Sequence, residues 1–219
     1  AASEDINNHI LCKGHQAAGL SARLAGSGMA FEFRLFENTL QKIDALGGFD
    51  KEMELRLTQQ GIFIHYAENA LVWDEKVGQK DVYKRQRGRW MAAQYRYAGR
   101  YFASGWRSLW RDGNLDHLNK VLQMTLPPRL LLPGFLLCGA VCNQLLGSKI
   151  TGMWWLALAA NLSSFAIALP LSYFNRSNRA MWLALPSAFA ASFTALFWMR
   201  AAGKQFLHTP HQIEEPKQS

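Results

Sequence analysis

The chain has 219 residues, of which 49% are hydrophobic, with a mean hydropathy of −0.11 and a formal net charge of +8. That length holds one ordinary domain, or part of one followed by a membrane segment. The basic excess suits anionic lipid headgroups and phosphate-bearing ligands; no nucleic-acid-binding motif accompanies it, so nucleic acid is not an expected partner.

The average hydropathy hides a division. Residues 1–128 are mixed and charged, whereas residues 129–203 carry only Arg129, Lys149, Arg176, Arg179 and Arg200. The three cysteines, Cys12, Cys138 and Cys142, form neither a disulfide framework nor a metal set, and are expected as small buried hydrophobes. The first eight residues are polar and acidic, begin without methionine and lack a signal-peptide pattern.

In chain order, residues 9–25 read as helix or irregular surface leading into Gly26-Ser27-Gly28, where glycines permit a tight turn and close approach to a ligand. Phe31, Phe33 and Leu35 alternate with Glu32 and Arg34, the period of a half-buried strand over residues 31–36. A short helix is expected over residues 37–48, closed by Gly47-Gly48, and another over residues 51–60, closed by Gly61. Residues 62–66 and 70–73 read as two further strands. Strand, helix, strand, strand is the order of the trailing half of an α/β fold.

Residues 79–127 read as a long helical stretch rich in Arg, Trp and Tyr, the composition of amphipathic helices lying in a membrane interface. Two runs then match membrane-crossing length, residues 130–146 and 152–174, joined by a tight connection at Lys149. Residues 180–199, with Pro186, are expected as a re-entrant or interfacial segment. The positive-inside rule puts Arg129 and the Arg176/Arg179 loop on the cytoplasmic side.

Two clusters carry candidate chemistry. Gln86, Arg89 and Trp90 offer an amide, a fixed cation and a flat aromatic face, the groups that grip a diphosphate and stack on a sugar ring. Asp50, 36 residues earlier, opens an acidic run in which a carboxylate can take a proton from a hydroxyl. Glu52 and Glu54 compete with Asp50 for that role, although a solvated helix face is their ordinary explanation.

Gly26 to Phe31, Asp50 to Leu57, Gly61 to Tyr66 and Gln86 to Trp90 together resemble, in order and spacing, the second half of the catalytic domain of a processive-type family-2 glycosyltransferase, the group of cellulose and hyaluronan synthases. The resemblance implies a GT-A-like nucleotide-sugar domain of α/β class over residues 1–80, interfacial helices with the Gln-x-x-Arg-Trp motif over residues 81–128, transmembrane helices over residues 129–203, and a cytoplasmic tail over residues 204–219. It makes Asp50 the general base for the acceptor hydroxyl, although Phe49 stands where many relatives have Glu. It makes Gln86, Arg89 and Trp90, with Gly26, Ser27 and Gly28, the substrate-binding set. Phe206, Thr209 and His211 keep part of the spacing of the family's gating loop, which covers the nucleotide.

The implied activity is an inverting transfer from a nucleotide-sugar donor, a UDP-sugar, to a growing glycan or lipid-linked acceptor, at the bacterial inner membrane with the catalytic part facing the cytoplasm. The family holds a divalent cation, Mg or Mn, on an Asp-x-Asp motif, and no Asp-x-Asp occurs here. The chain therefore reads as the second half of a catalytic domain, inactive by itself. The contrasting expectation is a non-catalytic membrane scaffold whose basic-aromatic helices bind anionic lipids.

Overall fold

The computed structural model describes residues 2–26, 28–43, 48–72, 80–129, 131–169, 187, 189–190 and 192–194. Ser27, the tail residues Phe206, Thr209 and His211, and most of residues 180–199 lie outside them.

The chain opens with α1 (Ala2–Asn7), which continues through a π-helical stretch (Asn8–Gly14) into α2 (His15–Ala17). The alternation that predicts a strand at residues 31–36 is overridden, because α3 (Phe33–Leu40) is a helix. Glu32 supplies the reason: its carboxylate accepts from Arg34 N at 3.0 Å and Leu35 N at 2.7 Å. Such a cap stabilises a helix start by about 0.5–2 kcal/mol. The helix also puts Leu35 and Phe36 against the core alongside Phe31 and Met29.

At the centre lies α4 (Phe49–Gln59). Met53, Leu55 and Leu57 alternate, and on a helix this period sends successive side chains to different sides. Met53 and Leu57 join Cys12, Ala22, Leu24 and Ile64 in one cluster. Leu55 joins Ala93, Tyr97, Tyr101, Val121 and Met124 in the other. All three are essentially inaccessible to solvent, and truncating any one to alanine would cost about 2–5 kcal/mol.

Residues 62–66 have no regular secondary structure, and no strand occurs among the described residues. Ala22 N donates to Ile64 O at 2.8 Å, while Ile64 N donates to Ser21 Oγ at 2.9 Å and Tyr66 N to Gln16 Oε1 at 2.7 Å. Side chains thus take the place of a neighbouring strand in satisfying this backbone. Residues 70–72, expected to begin another strand, have no regular structure either.

The long basic-aromatic stretch is a helical hairpin, α5 (Lys80–Asp112) and α6 (Leu115–Thr125). Gly113, at φ +63°, breaks it, and Asn114 Oδ1 accepts from His117 N at 2.9 Å to start the second helix. Both helices pack on α4.

A second hairpin follows, α7 (Leu132–Leu145) and α8 (Thr151–Ala168). The 18 residues of α8 are long and apolar enough to cross a membrane, whereas α7, with 14, spans about 21 Å and is short for a bilayer core. Leu137, Val141, Leu145, Met153, Leu156 and Ile167 all face outward. Cys138 and Cys142, expected as buried hydrophobes, also lie on this exposed surface, and only Cys12 is buried.

Candidate active site

Asp50 lies in the first turn of α4, and a glycine determines how that turn meets its neighbour. Gly48, the residue before the helix, has φ +67°, a left-handed conformation that costs other residues about 1–2 kcal/mol. A Cβ at Gly48 would stand 2.9 Å from the Ala93 methyl carbon and 4.0 Å from Asp50 Oδ1. The turn bearing Asp50 therefore packs directly on α5 at Ala93.

Trp90 and Arg89 precede Ala93 by three and four residues, and Gln86 by seven, so all share one helical face within about two turns. The Trp90 ring is 46% exposed, Gln86 and Arg89 are half-buried, and Gly88 and Met91 are buried behind them. Ala93, which the Gly48–Asp50 turn approaches, thus lies about one turn from Arg89 and Trp90 and two from Gln86. Lys51, beside Asp50, has its pKa lowered by loss of solvent, against the opposing attraction of Asp50.

The glycine segment is placed differently. Gly28 N donates to Ala25 O at 3.0 Å in a turn, and Gly28 lies against Val72 with 3.4 Å between its would-be Cβ and Val72 Cγ2. Neither Gly26 nor Gly28 has a positive φ, so this turn does not itself demand glycine. Among the described residues no group of three or more His, Cys, Asp or Glu converges, and they supply no seat for the divalent cation the resemblance implies.

The acidic neighbours are not a solvated face. Glu52 is fully buried, and its Oε1 accepts from Arg56 Nη2 at 2.8 Å, Arg56 Nε at 3.1 Å, Tyr101 Oη at 3.2 Å and Arg100 Nη1 at 3.3 Å. Burial first, and then the Glu52 charge, push the Tyr97 and Tyr101 phenols up to about 12, so both stay protonated at neutral pH. Glu54 is buried against Lys120 Nζ at 2.9 Å and accepts from Leu24 N at 3.3 Å. Thr58 completes the row, with its hydroxyl 3.3 Å from His117 Nδ1 and its carbonyl accepting from Asn114 Nδ2 at 2.8 Å.

Sequence reading missed these braces, although one sign was present. Apolar positions on several sides of α4 imply that the charges between them are enclosed as well. Lys120, between Leu118 and Val121, carried the same sign. Glu52 and Glu54 are held by these partners, and among the described residues Asp50 is the one of the three carboxylates outside such a network.

No curated protein and no solved structure matches the chain. Residues 5–93 match the family described as glycosyltransferase like family 2, an interval that includes both the Asp50 turn and the Gln86–Trp90 motif. Over residues 5–93 the chain is thus similar to family-2 glycosyltransferases.

Proposed function

We propose that this protein is a membrane-bound inverting glycosyltransferase of the processive type, with the α/β architecture of that group in its catalytic domain. In this reading it transfers a sugar from a UDP-sugar to a growing glycan or lipid-linked acceptor on the cytoplasmic side of a bacterial inner membrane. The observation that carries it is the packing of the Asp50 turn onto α5 at Ala93, one turn from Arg89 and Trp90, within the stretch that matches the family.

Asp50 accepts the proton of the acceptor hydroxyl as its oxygen attacks the anomeric carbon. The bond from that carbon to the diphosphate breaks, and its electron pair leaves with the diphosphate. Arg89 and Gln86 stabilise the charge growing on the leaving group, a preorganised electrostatic contribution. Trp90 orients the acceptor ring by stacking.

Membrane attachment is supported by the outward apolar surface of α7 and α8, and by the exposed aromatic stripe Phe102, Trp106 and Trp110 on α5, flanked by Arg107 and Arg111.

In the full-length protein, Asp50→Asn is expected to lower UDP release from its UDP-sugar by about 10²- to 10⁴-fold while preserving donor binding. A mutant that transfers at the parental rate removes Asp50 from the base role.

A further inference from the structure

Glu52 cannot reach a substrate, since it is fully buried and its Oε1 receives four donor contacts. Those donors come from two places. Arg56 lies one turn along the same helix, but Arg100 and Tyr101 belong to α5. Arg100 stands 11 residues beyond Arg89, about 16 Å along the helix axis.

We propose that Glu52 is a positioning residue: it sets the register of α4 against α5, and so holds the Asp50 turn beside the face that bears Gln86, Arg89 and Trp90. The catalytic part of this inference rests on the glycosyltransferase reading, while the register part stands on the contacts alone. The Tyr97 phenol on α5 also hydrogen-bonds Glu52, whereas the contacts of Gly48 with Ala93 and of Leu55 with the α5 cluster are apolar and have no directional preference. A helix of 33 residues held only by such contacts can slide or roll with little penalty.

A hydrogen-bonded carboxylate is directional, and its bonds strengthen in a low-dielectric surround. An apolar residue of similar size often matches a buried ion pair in stability. Register is what such a residue cannot supply. Small displacements are costly here, because a shift of about 1 Å in a reacting group can lower turnover by about 10²-fold.

The test compares Glu52→Gln, Arg100→Met, Arg56→Met and the Glu52→Gln/Arg100→Met pair in full-length protein in membranes. Hydrogen exchange of residues 86–100 reports register. UDP release from UDP-glucose and from UDP-N-acetylglucosamine reports function. Glu52→Gln and Arg100→Met are expected to raise exchange of that segment about tenfold or more and to lower kcat 10- to 100-fold or so, with the double variant no worse than either single one. Arg56→Met, which removes a contact within α4 and leaves the bonds from Arg100 and Tyr101 to Glu52 in place, is expected to change exchange and kcat per folded molecule less than Arg100→Met does.

Arg100 is half-exposed, so its variant is expected to fold even if Glu52→Gln does not. Parental exchange in Arg100→Met overturns the positioning role. A purely structural role predicts instead that all losses follow the thermal midpoint, with kcat per folded molecule unchanged. If exchange rises as expected but the parent releases UDP from neither donor, register stands and the glycosyltransferase reading falls.

Discussion

His117 shows how burial fixes the charge of a single residue. Its ring is inaccessible to solvent, lies between the Thr58 and Ser104 hydroxyls at 3.3 and 3.1 Å, and meets Tyr101 edge-on. Burial lowers its pKa, with the nearby Asp116 charge opposing. In the unfolded chain the imidazole takes a proton near its ordinary pKa of about 6.5, whereas the folded protein resists protonation until lower pH. The unfolded state therefore binds more protons as pH falls below about 6.5, and stability that is fully present above that value is progressively lost through the folded pKa. His15, also lowered by burial, acts in the same direction. Thermal midpoints at pH 7.5 and 5.5 are expected to differ less in His117→Gln than in the parent, with His15 accounting for the remainder. An equal drop in both proteins assigns the pH dependence elsewhere.

Among the elements, α4 organises the polar part, because its buried residues Glu52 to Leu55, Leu57 and Thr58 serve both apolar clusters and the braces to α5 and α6. Glu52 ties it to α5, and Glu54 and Thr58 tie it to α6. Its approach to α5 depends on Gly48. Alanine there must adopt a left-handed backbone and also displace the Ala93 methyl group, which the new Cβ would meet at 2.9 Å. Gly48→Ala is expected to lower stability by about 1–3 kcal/mol, measured by denaturant unfolding. It should also lower UDP release, because the Asp50 turn is pushed off α5. Ala93→Gly makes room for the new methyl but leaves the backbone strain, so adding it should restore activity more than stability. No rescue of activity by the second change would separate this contact from catalysis.

For the whole molecule, the helical unit around α4 and the apolar hairpin α7–α8 obey different physical rules. The first buries its apolar residues in two clusters, and the second turns many of its own outward. A hairpin with such a surface is stable in water only if something covers it. Lipid is the cover in the proposed function. Cys138 and Cys142 report on this directly, since both are exposed on α7 while Cys12 is buried. In sealed membrane vesicles, a membrane-impermeant maleimide is expected to label neither Cys138 nor Cys142, and both should label after denaturation in detergent. Rapid labelling of both in intact vesicles would put the hairpin in water and remove the membrane from the proposal.

Local and compositional features were legible without coordinates. The helix ending before Gly61, the helical character of most of residues 80–125 and the apolar region after Arg129 all follow from glycine, periodicity and charge, which act over a few neighbouring residues. Packing over long sequence separations decided the rest. The Phe31 to Leu35 alternation lost to a capped helix, since a strand needs a partner and Glu32 needs only its own next turn. Residues 62–66 form no strand, and the Ser21 and Gln16 side chains instead accept from the Ile64 and Tyr66 backbone N–H groups. Above all, tertiary contact separated three neighbouring acids, Asp50, Glu52 and Glu54. Their spacing is the same in any helix, and only the Arg100, Tyr101 and Lys120 side chains brought in by α5 and α6 distinguish two buried braces from the carboxylate left beside the candidate site.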